Sequence, residues 1–383
     1  MNRVYVSIFT SLIVAASCGD NAPNNASPDA QGTSGPIAVA VASVYGTPTG
    51  ILSKLDVDAL MMQTNLAAGV VKGDPVLRRI GDTLYIVNRD VNSITMLDAR
   101  TLVPIDEVAV GAAGENQNPQ DVAVVGNKLF VPALENAAGV VVLTRSSTER
   151  TTIDLTNALE CKGECLPRCV SAYAIGNDVY VACGLLTKSF MPTGNGKGKV
   201  AVIDATSNAV RVVVEMPVPN PQNLFVRTPT NSAFGGDLLI PTLEYNAVTN
   251  VSNGNVVRVS PGPSPTASIA IPSSDLQGAP SHIEVLEGNP SLLVLAAAQE
   301  YGKGQLRAFD LDSNQLWSGS LSPSTQNITD VAACPDGKFV VSDASADGGG
   351  LRVYSGAEAE VTSTALPIGL PPGAGNQVVC YNP

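Results

Sequence analysis

The stretch NPQDVAVVGNKLFVPA, residues 118–133, opens on a proline-containing turn, runs apolar in alternation, turns at Gly126-Asn127 and runs apolar again. It returns at residues 220–242 as NPQNLFVRTPTNSAFGGDLLIPT. The same plan is readable in DPVLRRIGDTLYIVNR from Asp74, LPRCVSAYAIGNDVYVACG from Leu166, APSHIEVLEGNPSLLVLAA from Ala279 and NITDVAACPDGKFVVSDA from Asn327. Each is a β-hairpin signal, because a short Gly/Asn/Asp loop between alternating runs supplies the positive φ that tight hairpin turns need. Several continue into a second hairpin, as in NSITMLDARTLVPIDEVAV, GKVAVIDATSNAVRVVVEM and GQLRAFDLDSNQLWSGSL. The unit is therefore four strands, and its starts at Pro75, Pro119, Pro167, Pro221, Pro280 and Ile328 are spaced by roughly 45 to 60 residues. That period suits the blades of a β-propeller, not a helical solenoid.

The two ends complete the pattern. GAGNQVVCYNP at the C-terminus reads as a first strand with nothing after it, while PIAVAVASVYG, GILSKLDVD and TNLAAGVVKG near the N-terminus read as the other three strands. Joining them removes two open edges. The expectation is an all-β, seven-bladed propeller with four-stranded blades over residues 36–383, its ring closed by N- and C-terminal strands. The repeat VAVIDATSNAVRVVVEM resembles the YVTN-type, WD40-like propeller family, whose units read as an apolar strand, Asp, a short turn and a second strand. A pair of β-sandwiches, the main rival, does not account for matched partial units at the termini.

The first residues, MNRVYVSIFTSLIVAASC, carry one basic residue, Arg3, an uncharged apolar run and small residues before Cys18. This reads as a secretory signal peptide over residues 1–17. VAASC resembles a bacterial lipobox, with Ala15 where that pattern usually has Leu. The resemblance implies a lipid on Cys18, cleavage before it and a membrane anchor in the cell envelope. Gly19 stands where a retention Asp would hold the chain at the inner membrane, so the resemblance points to the outer membrane. Residues 18–35, rich in Asn, Pro, Ser and Gly, lack the apolar surface to order themselves and read as a tether.

Composition narrows the function. Thirty-four acidic against 22 basic residues give a net charge of −12, which disfavours phosphate backbones, so no nucleic-acid partner is expected. Aromatic residues are 4% of the chain, too few for a stacking platform, and Trp317 reads as packing. Beyond Cys18 the cysteines are Cys161, Cys165, Cys169, Cys183, Cys334 and Cys380, an even number in an exported chain, and three disulfides are expected. The turn at Gly176-Asn177 brings Cys183 back toward Cys169, so two bridges belong to the first four, with the pairing open. Joining Cys334 to Cys380 would clamp the closing strand. A zinc site on the first four is the sharper alternative, but C-x3-C-x3-C lacks the usual C-x2-C knuckle, and oxidation suits export better. No metal or cofactor is expected.

Catalytic motifs are scarce. His282 is the one histidine and no G-x-S-x-G accompanies it. GNGKGKV at Gly194 has no Ser or Thr after its lysine, and DLDSNQLW at Asp310 has Gln315 and Leu321 where a calcium loop needs Gly and Glu. DASADGGG at Asp343 has carboxylates in a Gly-rich turn and reads as a connection between strands. One constellation stands out: counting from the unit starts places Asp121, Asn223, His282, Asp330 and Gln377 at equivalent points, with Leu77 and Cys169 at the other two. Five polar groups from five blades could converge on a small polar ligand or ion at the channel mouth. The plainer reading is that strand starts use polar side chains for local hydrogen bonds.

The function expected is a lipid-anchored, non-enzymatic binding or interaction scaffold for a protein or small-molecule partner. The alternative is a metal-dependent lactonase or quinone-dependent dehydrogenase working at the channel mouth. If Cys18 carries the anchor, Cys18→Ala moves the protein from the membrane to the soluble fraction in cell fractionation, because no other segment would hold it there.

Overall fold

The computed structural model describes residues 35–44, 46–135, 138–193, 196–246, 251–276, 278–286, 292–298, 303–310, 315–316, 322–323, 325–346, 348–356, 359–373, 375 and 377–383. The signal peptide, Cys18, nearly all of the tether, Gly194, the turn after Asp310 and Trp317 lie outside them.

Six antiparallel four-stranded sheets are each built from one continuous segment. Sheet II comprises Pro75–Ile80, Thr83–Asn88, Ser93–Asp98 and Pro104–Ala109. Sheet III comprises Ala123–Val125, Lys128–Pro132, Gly139–Thr144 and Arg150–Asp154. Sheet IV comprises Cys169–Ile175, Asp178–Cys183, Lys199–Asp204 and Ala209–Glu215. Sheet V comprises Val226–Arg227, Leu238–Pro241, Val256–Ser260 and Thr266–Ile271. Sheet VI comprises Ala279–Val285, Leu292–Ala298, Gly304–Asp310 and Gln315–Leu316. Sheet VII comprises Ile328–Ala333, Lys338–Asp343, Gly350–Ser355 and Ala359–Glu360.

A further four-stranded sheet, sheet I, is composite: Met61–Leu66, Gly50–Asp56 and Ile37–Ser43 follow in order, and Val378–Tyr381 pairs antiparallel with the last. Its outer strand starts three residues before the TNLAAGVVKG segment that the sequence suggests and takes in only its first three residues: Met61 to Gln63 pair with Asp56 to Lys54 and, past a register shift, Leu66 pairs with Leu52. Two elements escape the repeat pattern: a small hairpin, Glu244–Asn246 with Val251–Asn253, inserted in sheet V, and a four-residue helix, Ser273–Leu276, before sheet VI.

The sheets pack face to face in chain order. Ile37–Ser43 shows why: with side chains alternating, Ile37, Val39 and Val41 join a core with Leu77, Leu84 and Ile86 of sheet II, while Ala38, Ala40 and Ala42 join one with Val340, Leu351 and Val353 of sheet VII. Both faces are buried, so the strand reads IAVAVAS with no polar alternation. The remaining adjacent pairs are filled the same way, for example Phe225 with Tyr180 between IV and V, and Phe309 with Leu239 between V and VI. Clusters of this kind also join II to III, III to IV and VI to VII, so the series of sheets returns on itself. The fourth strands lie at the rim, and Met61–Leu66 and Pro104–Ala109 are largely exposed.

Two recurrent residues acquire their reasons here. The Asp of the LDARTL and IDATSN motifs ends a third strand and caps the turn into the fourth: Asp98 accepts from the backbone N–H groups of Arg100 and Thr101, and Asp204 from that of Ser207. These bonds, led by the Thr101 and Ser207 N–H groups, hold both carboxyls below the usual range. A glycine opens the third strand where the next sheet begins. A Cβ on Gly254 would lie 2.8 Å from Cδ of Pro280 and 2.0 Å from the Thr242 carbonyl oxygen, and one on Gly304 would lie 1.8 Å from the Ile328 carbonyl oxygen.

The three disulfides are Cys161–Cys165, Cys169–Cys183 and Cys334–Cys380. The first four cysteines are thus bridged in two pairs, which leaves no thiolates for the zinc alternative. Cys334–Cys380 joins the inner strand of sheet VII to the closing strand. Tyr381, on that strand, donates its hydroxyl to the Ala99 carbonyl of sheet II at 2.8 Å, and burial pushes the phenol well above its usual value. Deletion of residues 373–383 is expected to abolish the cooperative thermal transition, whereas Cys334→Ser/Cys380→Ser folds but loses about 2–4 kcal/mol, a few degrees by calorimetry. A truncated chain that melts like the intact one would refute the closure role.

Candidate functional site

The unit starts lie at one end of the inner strands, and the five polar residues found there do not share an open surface. Asp330, completely buried, accepts from the backbone N–H groups of Gln377 (2.6 Å) and Val378 (2.9 Å) with Oδ2, and its Oδ1 lies 3.0 Å from Nδ1 of His282. Gln377 in turn donates through Nε2 to the Pro75 carbonyl and accepts from Gly373 N–H. One set of contacts therefore links sheets VI, VII, I and II in succession. Three of the five residues are brought together: His282, Asp330 and Gln377.

Asp121 belongs to a second set. It is completely buried and accepts from the Val122 and Ala172 N–H groups and the Ser171 hydroxyl, with Nη1 of Arg78 at 3.4 Å. Ser171 passes the chain on by accepting from Phe225 N–H at 2.8 Å. Sheets II, III, IV and V are linked in this way. Asn223 is half-buried and lies against the C-terminal segment: a Cβ on Gly375 would lie 3.0 Å from its Oδ1. Gly375, at φ +70°, also donates its N–H to the Thr329 carbonyl. The C-terminal segment thus reaches across this end of the ring.

The other end of the inner strands opens into a cavity of about 410 Å³. Its wall combines Leu77, Leu224, Val285, Ala332 and Val378 with Arg78, Arg79, Arg227, Tyr173, His282 and Glu284. His282 is the member of the sequence-derived constellation that faces this space. The other polar residues went unread in the sequence, because nothing in a single strand shows that Arg78 and Arg227, 149 positions apart in the chain, line one wall.

Each group has a defined setting. Arg78 is largely buried beside Asp121, with its guanidinium carbon 5.4 Å from the Tyr173 ring centroid. Arg79 is exposed and stacks on Tyr381 at 4.5 Å. Arg227, also exposed, donates through Nε to the Gly236 carbonyl at 3.2 Å. Nε2 of His282 lies 3.2 Å from Oε1 of Glu284. His282 thus lies between two carboxylates, Asp330 toward its Nδ1 and Glu284 toward its Nε2. Asp343, by contrast, is no open carboxylate cluster: it is buried, bonded to Ser345 and Arg352, and ties sheet VII internally. Among the described residues no group of three or more His, Cys, Asp or Glu could hold a metal ion.

With this geometry described, similarity to known proteins bears on the fold. The β-propeller domain of Cps50 from Myceliophteria thermophila superposes with a TM-score of 0.56 at 9% identity, covering 83% of this chain and 99% of that one. The fold is a β-propeller. A functionally unknown protein from Desulfotomaculum acetoxidans matches at a TM-score of 0.54 and 12% identity over 91% of this chain and 99% of its own. Dihydro-heme d1 dehydrogenase NirN in complex with DHE matches at 0.51 and 14% identity over 91% and 75%. At such identities the likeness is one of fold. No protein-family model matches the chain, and no curated protein matches it.

Burial raises the Asp121 carboxyl above its ordinary 3.8, against the pull of Arg78 and the hydrogen bonds it accepts. The protonated form therefore favours the fold, a contribution complete below the unfolded value of 3.8 and lost as pH rises through the folded one. The melting temperature of the native protein relative to Asp121→Asn is expected to be highest near about pH 4 and to fall progressively over the range above it. Calorimetry of both proteins across that range checks it, and a pH-independent difference would contradict it.

Proposed function

We propose that the chain is an exported, lipid-anchored protein of the cell envelope whose YVTN-type propeller is a non-catalytic binding scaffold. In this reading the sheets are seven blades, Cys18 anchors the chain to the outer membrane, and the tether holds the propeller about 20–25 Å from the bilayer. The observation that carries the binding role is the cavity of about 410 Å³ on the ring axis, a size that suits a small ligand. Its opposite end is crossed by the C-terminal segment, so ligand exchange would use the mouth near Arg79 and Gly81. The rest of the design agrees: the cavity wall is formed by inner strands, joined in two sets by the buried carboxylates of Asp121 and Asp330 and, between sheets VII and I, by a disulfide, which makes a pre-organised surface. No helix among the described residues is long and apolar enough to cross a membrane, and an anchor at Cys18 needs none.

The alternative is an enzyme of the lactonase or dehydrogenase kind, favoured by His282, which lines the cavity with the buried Asp330 behind it at 3.0 Å. Both readings meet in one experiment, a thermal-shift and turnover screen of small metabolites on the native protein and on Ala333→Trp, which fills the cavity wall. Stabilisation of the native protein, lost in Ala333→Trp and without product formation, is the expected outcome. Turnover abolished by His282→Gln would replace the scaffold with the enzyme, and stabilisation undiminished in Ala333→Trp would remove the cavity from the function.

A further inference from the structure

The lining of the axial cavity runs against the charge of the rest of the protein. The chain carries 34 acidic and 22 basic residues, yet the charged side chains lining this cavity are Arg78, Arg79 and Arg227 against the single carboxylate of Glu284. Arg78 and Arg79 come from sheet II and Arg227 from sheet V, so the guanidinium groups reach the cavity from separated parts of the ring.

Their partners leave donors for a ligand. Arg78 lies 3.4 Å from Asp121 through Nη1, Arg227 uses Nε toward Gly236, and Arg79 stacks its face on Tyr381. A guanidinium has five N–H donors in a fixed fork, which matches the two oxygens of a carboxylate. Glu284, the opposing charge, is directed to His282 at 3.2 Å. The cavity walls are of low polarisability, which strengthens the field of charges gathered at its mouth. Behind the charged groups, Leu77, Leu224, Val285, Ala332 and Val378 offer an apolar wall to a hydrocarbon body.

We propose that this cavity binds a small amphiphilic organic carboxylate, with its head group at Arg79 and Arg227 near the mouth, Arg78 deeper, and its apolar part against the aliphatic wall. The proposal rests on the cavity being the binding site and adds the chemical class of the ligand. Inorganic phosphate shares the charge but would leave the aliphatic wall unused.

Three probes with one tail and different heads test it: octanoate, octan-1-ol and octylammonium, with inorganic phosphate as a fourth, titrated by calorimetry into the native protein, Arg227→Gln, Arg79→Gln and Ala333→Trp. Both arginines are exposed, so their variants are expected to melt as the native protein does; Arg78 is avoided because its removal would strand the buried Asp121. Octanoate should bind the native protein in preference to the other three, weaken by about tenfold or more in each arginine variant, and lose binding in Ala333→Trp. Equal binding of octan-1-ol or octylammonium, blocked by Ala333→Trp, would overturn the carboxylate assignment while leaving the cavity as a binding site. Tighter binding of phosphate, unaffected affinity in both arginine variants, or binding of none of the four would also overturn the assignment.

Discussion

The pairing of Val378–Tyr381 with Ile37–Ser43 is the contact on which the ring depends. Without it sheet I has no inner strand, the Ile37–Ser43 edge is open, and the apolar residues of sheets II and VII that pack on sheet I face water. Three interactions of different kinds meet on that short strand. Backbone ladder bonds pair it with the N-terminal segment, Cys380 is bridged to Cys334, and Asp330 accepts the N–H groups at its start. Tyr381 adds a buried ring and a hydroxyl bond to the far neighbour. A strand of four residues would not hold by ladder bonds alone, since an end strand frays readily. Covalent and charge-assisted contacts make closure durable.

The same economy explains the polar residues at the strand starts. A carboxylate inside a wall of apolar strands is costly to bury unless its oxygens are bonded. Asp121 and Asp330 solve this by accepting backbone N–H groups from the next sheet, and so join sheets that hydrophobic packing alone would allow to slide. Asp121 is held at a cost, as its raised carboxyl shows. The linkage sets the position of the inner strands around the axis, and with it the spacing of Arg78, Arg227 and His282 around the cavity.

The two ends of the axis consequently differ. At the strand starts, hydrogen bonding is spent on joining sheets, and the chain crosses the opening. Toward the strand ends lies the cavity, lined by Arg78, Arg79 and Arg227. The proposed binding role belongs with the second end, where the contacts of Arg79 and Arg227 engage only part of each guanidinium.

Much of the architecture was legible in the sequence. Alternating apolar runs, Gly-Asn turns, the capping Asp of Asp98 and Asp204, and the split unit at the termini are local or periodic signals, so they determine strands, four-stranded units and closure without tertiary knowledge. The clamp of Cys334 on Cys380 was legible for the same reason, since both follow the unit starts. The cavity was not. Its wall comes from single residues on several inner strands, and which end of the strands stays open depends on where Gly373 and Gly375 lie. Sequence equivalence brought Asp121, Asn223, His282, Asp330 and Gln377 to one level of the ring, but a level does not state where a side chain points. The tertiary structure decided that: burial turned both carboxylates, Asp121 and Asp330, toward the neighbouring sheets, because an acceptor surrounded by strands is satisfied most directly by the N–H groups of the adjoining one.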